Sequence, residues 1–146
     1  MSRTPGTPRV FIDSTVLFAA AYSATGTARD LLRAGLRGRV QLYISDDVLE
    51  ETERNLRRKA PEALDQFLLF KAVLNAQLVR PPPALVARVA EVVAAKDAPI
   101  VAAALAARAS YLATWDRKHL LRWRAQIKTA FNIAVVTPAE VPIALE

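Results

Sequence analysis

The sequence predicts an α/β fold, a single domain with three layers, α/β/α, around a mostly parallel central sheet. Three observations carry this expectation. The chain has 146 residues, 53% of them hydrophobic, enough for one sizeable core and little beyond it. Short β-branched runs alternate with longer segments whose apolar residues recur with a helical period. No internal repeat or low-complexity linker interrupts the alternation. Strands separated by helices imply right-handed crossovers and a sheet covered on both faces.

The opening "MSRTPGTP", residues 1–8, reads as a flexible polar tail before a domain at 9–146. "RVFI" is a strand, "STVLFAAAYS" a helix, and "TARDLLRAGLRG" a second helix stopped by Gly38. "VQLYIS" is the second strand, and its Ser45 can cap the helix "DDVLEETERNLRRK". Pro61 opens the next helix, through "EALDQFLLFKAVL". "AQLVR" is a short strand before the break at Pro81, Pro82 and Pro83. Two helices follow, "ALVARVAEVVAA" and "APIVAAALAARA", then the strand "YLAT", the helix "RKHLLRWRAQIK" and a last strand "IAVVT".

Composition removes several classes of chemistry. With no Cys, disulfides, thiolate zinc sites and cysteine nucleophiles are excluded, and a single His119 excludes any site that needs two histidines. A metal would therefore sit on oxygen. No apolar run reaches the roughly 18 residues of a membrane span, and no export signal opens the chain, so a soluble cytoplasmic protein is expected. A net charge of +6, with Arg far outnumbering Lys, favours a polyanionic partner such as nucleic acid.

Three aspartates stand at informative places. Open parallel sheets bind ligands at the carboxyl ends of their strands. Asp13 follows "RVFI" and Asp116 follows "YLATW", so both belong to that edge, and Asp97 begins the helix "DAPIVAAAL" near it. Each also precedes a helix, and Asp is a favoured N-cap worth about 1 kcal/mol. Three caps, however, do not require three aspartates to converge where an α/β fold places its ligands.

In order along the chain, "FIDSTVL", "ISDDVLEETERNL", "KDAPIVAAALAARASYLATWDRKHLL" and "IAVVTPAEV" resemble the motifs of a PIN domain, the metal-dependent nuclease fold of VapC-type toxins and of RNA-processing enzymes. The resemblance runs from about Arg9 to Pro138. It implies an acidic site of Asp13, Glu51, Asp97 and Asp116, with Thr15 and Thr114 as hydroxyl supports. Helical period independently puts Val48, Leu49, Thr52 and Leu56 on the core stripe, turns Glu50 away and leaves Glu51 and Glu53 on opposite flanks. The period does not choose between those two; the resemblance selects Glu51. It also implies homodimers and, in toxins, an antitoxin peptide inserted near the acidic edge. Alanine-rich "APIVAAALAARA" would allow the close helix packing of such a dimer.

Two departures stand out: Thr15 where many members carry Asn, and Trp115 where a Gly is common. Trp115, Trp123 and His119 are assigned no chemistry. Clustered carboxylates without His or Cys suit Mg2+ or Mn2+. The expected activity is metal-dependent endoribonuclease hydrolysis, with Asp13, Asp97 and Asp116 holding the metal and Glu51 orienting the attacking water. Arg117 and Lys118, in "DRKHLLRWR", are candidates for holding the RNA backbone. Two other readings stay open: a non-catalytic PIN-fold RNA-binding or scaffold module, and a phosphatase of the haloacid dehalogenase type with Asp13 as nucleophile. The second suffers because Thr15 stands where the second Asp of the Asp-x-Asp motif belongs.

Overall fold

Strand β1 (Arg9–Ile12) is apolar after Arg9, and Val10, Phe11 and Ile12 are all fully buried. Successive strand side chains point to opposite faces, so burial of all three means that both faces are covered, as the apolar run predicts. The computed structural model describes residues 6–74 and 77–143. In it β1 is the middle of a five-stranded parallel sheet with β2 (Gln41–Ser45), β3 (Leu78–Val79), β4 (Tyr111–Ala113) and β5 (Ala134–Val136), in the order β3-β2-β1-β4-β5. Phe11 is level with Tyr43 on one side and Leu112 on the other, and Leu112 with Val135. The chain leaves β1 toward β2 and later returns to its other side at β4, so the switch in strand order falls between β1 and β4.

Seven α-helices are described: α1 (Ser14–Tyr22), α2 (Thr27–Leu36), α3 (Asp46–Lys59), α4 (Leu64–Leu74), α5 (Pro83–Val89), α6 (Ala98–Ala106) and α7 (Arg124–Phe131). Their signals are local. Ser45 accepts a hydrogen bond from the Val48 N–H and caps α3. Pro61 opens a 3-10 turn, Pro61–Ala63, that runs into α4. Asn132 ends α7 in the left-handed region at φ 57°, which Asn tolerates better than most residues. Alanines of α6 are spent inside the chain: Ala98, Ala102, Ala103 and Ala104 are fully buried, and the helix packs on β1, β2 and β4.

Two helices differ from expectation. The segment 84–95 is helical only through Val89, after which the chain tightens into turns, with Glu91 N–H bonding the Arg88 carbonyl and Val92 N–H the Val89 carbonyl. The helix expected from Arg117 begins at Arg124. Asp116 holds the intervening turn closed, since its carboxylate accepts from the His119 N–H (3.1 Å) and its carbonyl from the Leu121 N–H (3.0 Å). Part of the tail expected at 1–8 lies outside the described residues; within it Thr7 is buried and the Pro8 carbonyl accepts from the Gln41 N–H at 2.8 Å. Among the described residues, no helix is long and apolar enough to cross a membrane.

Candidate active site

Asp13 leaves the last position of β1 and turns the chain into α1. Its backbone N–H still bonds the Ala113 carbonyl of β4 (3.2 Å), so the sheet ladder fixes where its side chain starts. The carboxylate is buried and fully engaged. Oδ1 accepts from the Val16 N–H (3.1 Å), as an N-cap does, and from the Thr15 hydroxyl (2.6 Å); Oδ2 accepts from the Thr114 hydroxyl. The two threonines go on to fix β4's exit. Thr15 Oγ1 accepts from the Trp115 N–H and Thr114 Oγ1 from the Asp116 N–H, both at 2.9 Å. Both hydroxyls thus hold the Asp13 carboxylate, which also caps α1.

Burial pushes the Asp13 carboxyl up to about 6, against the hydrogen bonds from Thr114, Thr15 and Val16, and the nearby Asp116 charge pushes the same way. Asp97 is also raised, first by burial, with His119 and Lys96 opposing and Asp116 adding. It stands at the N-cap of α6 but makes no capping bond, and its buried Oδ2 has no partner among the described residues. Of the three aspartates, only Asp13 caps an α-helix through its side chain. Capping therefore does not account for the set.

Helix α3 delivers the fourth acid. Val48, Leu49, Thr52 and Leu56 are its buried residues, as the period requires, and Glu51 turns toward the carboxyl edge, where its Oε1 accepts from the Ser14 hydroxyl at 2.9 Å. Glu53 is engaged elsewhere, with Arg57 at 2.9 Å and Lys71 at 3.9 Å, and Glu50 lines a different surface. Asp13, Glu51, Asp97 and Asp116 together line one cavity of about 330 Å3. Arg117 and Lys118 are exposed on the turn after Asp116 and lie outside that lining.

The sequence singles out neither Ser14 nor Lys96 and assigns His119 no chemistry, yet all three line the same cavity. Ser14 had a signal, since it follows Asp13 directly on a helix's first turn. A second cavity of about 210 Å3, between α2, α4 and β2, has a largely apolar lining with no titratable side chain and offers no acid–base chemistry.

Donor chemistry at the acid cavity suits a hard divalent cation: every carboxylate is oxygen, two of them are desolvated, and Asp97 Oδ2 is unpaired. Among the described residues, no group of three acidic or imidazole side chains is arranged to hold an ion by itself.

A PIN domain family model matches residues 9–118, and the chain belongs to that family, a nuclease fold whose members typically use divalent metal ions. In fold it is similar to the crystal structure of PAE2754 from Pyrobaculum aerophilum, with a TM-score of 0.60 and 21% identity over 92% of this chain and 89% of that one. No curated protein matches the chain.

Proposed function

We propose that the chain is a metal-dependent endoribonuclease that hydrolyses RNA phosphodiester bonds in the acid cavity, acting as the toxin of a toxin-antitoxin pair. The observation that carries this is the meeting of four carboxylates from four separate segments, at the switch point of a parallel sheet, with one buried oxygen left unpaired. Asp13, Asp97 and Asp116 would hold Mg2+ or Mn2+ jointly with water and substrate oxygens, since no three of the acids form a complete ligand group by themselves among the described residues. When bound, such an ion lowers the pKa of water and offsets charge developing on the leaving oxygen. Glu51 has Oε1 fixed by Ser14, which leaves Oε2 to orient the attacking water and take its proton. Thr15 and Thr114 keep Asp13 in one orientation, and Arg117 and Lys118 meet the RNA backbone outside the cavity. A net charge of +6 supports a polyanionic substrate.

The test is incubation with structured and single-stranded RNAs in Mg2+, Mn2+ or chelator, for the chain and for Asp13→Ala. Cleavage by the wild type alone, and only with metal, is the expected result; cleavage that persists in chelator removes the reading. The lack of a three-ligand group among the described residues favours one alternative, an RNA-binding PIN module. That module would bind RNA equally with and without metal and cut nothing.

The reading extends to partners. Exposed Leu68, Leu69 and Val73 on α4 provide apolar surface for a second copy or an antitoxin peptide. Light scattering that gives a monomer at every concentration would remove the homodimer.

A further inference from the structure

Among the described residues, the acid cavity has one Lys or Arg in its lining, Lys96, and the nuclease mechanism above gives it no task. Its Nζ lies 2.8 Å from Nε2 of His119. An ammonium has donors only, so Nε2 accepts and the ring proton sits on Nδ1. His119 is itself held, since its backbone N–H donates to Asp116 Oδ1. A lysine from the turn before α6 is thereby tied to the turn after β4, across the mouth of the cavity. Beside four carboxylates, its ammonium makes no ion pair within 4 Å with any of them among the described residues; it meets the His119 ring instead, and its charge still acts on Asp97 from a distance.

That arrangement leaves two of the three ammonium donors free and fixes where they are. We propose that Lys96 donates to a non-bridging oxygen of the RNA phosphate entering the cavity, and that His119 is a positioning residue that aims it. The identity of the substrate rests on the nuclease reading; the contact itself does not need turnover. A phosphodiester must bring its negative charge among four carboxylates, and Lys96 is the protein cation within the lining that offsets it.

The experiment measures anisotropy of a labelled single-stranded RNA on the full chain carrying Asp13→Asn to stop turnover, in Mg2+ across a range of salt. Lys96→Met should weaken binding about tenfold, the loss of one charge-assisted hydrogen bond. It should also lower the slope of log affinity against log salt by about 0.7, one phosphate contact on a single strand. Lys96→Arg should restore the slope. His119→Leu keeps the charge but frees the lysine, so with Asp13 intact KM should rise several-fold while kcat changes less. Lys71→Met, on α4 and outside the cavity lining, serves as a control and should leave affinity and slope unchanged.

Unchanged RNA affinity and slope in Lys96→Met overturn the proposal. So does a Lys96→Met chain that binds Mg2+ more tightly and RNA equally well, since Lys96 would then be only a counter-charge to the carboxylates. A wild type that cuts no RNA sinks the nuclease reading alone, because the binding series still decides Lys96. A chain that binds no RNA overturns both.

Discussion

The two ends of the central sheet treat buried or half-buried charge in opposite ways. At the amino end, Arg9 spends its Nε and one terminal nitrogen on the Ala107 carbonyl, at 3.0 and 2.7 Å, and its guanidinium lies 4.5 Å from the centre of the Tyr43 ring. The chain satisfies that charge with its own carbonyl and π-face. At the carboxyl end, Asp13 has its hydrogen bonds and is still pushed up by burial, and Asp97 keeps a buried oxygen without a partner. There the fold leaves two carboxylates whose charge burial disfavours.

The largest test of that contrast is activity. Asp116→Asn should lose about 100-fold or more of the RNA cleavage rate, since even partners one step removed from a metal are worth 10 to 100-fold. Arg9→Leu, at the other end, should leave the rate unchanged once folded. Equal rates in Asp116→Asn and wild type would erase the distinction.

Next comes pH. A carboxyl raised in the folded state favours folding while protonated, so in chelator its stability is fully present below about pH 4 and is lost as pH rises through about 6. The shift of roughly two units corresponds to about 3 kcal/mol. Asp13→Asn keeps the cap acceptor and has no charge to desolvate. Denaturant melts should therefore show it gaining on wild type between pH 4 and 7, with the advantage absent at pH 3.5. A constant difference across that range would refute the assignment.

Metal should reverse the order. A ligand that binds only the folded state, at 100 times its Kd, adds about 2.7 kcal/mol. Thermal melts should show wild type gaining Tm on adding Mg2+ and Asp97→Asn or Asp116→Asn gaining much less. Equal gains would mean that the ion binds elsewhere. The smallest effect is at Arg9: Arg9→Leu should cost about 1.5 to 3 kcal/mol, measured by denaturant melts, for the lost bonds to Ala107.

Most of the fold was legible because its signals are local: an apolar β1, Ser45 before α3, Pro61 before α4. Where the reading ran long, distant or backbone groups had the deciding role. The segment after Asp116 has helical composition, but the Asp116 carboxylate and carbonyl hold a turn that delays α7 until Arg124. The aspartates could be placed because a parallel sheet has one functional edge. Glu51 and Glu53 could not be separated by period, since what separates them is Ser14, 37 residues from Glu51, and Lys71 on α4. Lys96 and His119 are 23 residues apart on two turns, and no periodicity reports such a meeting.

The hydrogen bond between Thr114 and Asp13 joins residues 101 apart in sequence. A chain made from its amino end therefore carries Asp13 and Glu51 long before it carries Thr114 and Asp116, and synthesis adds only about 5 to 20 residues per second. For those seconds the growing polypeptide holds half of the acid cavity and cannot assemble the rest, so chain order makes this cavity one of the last features that translation can complete.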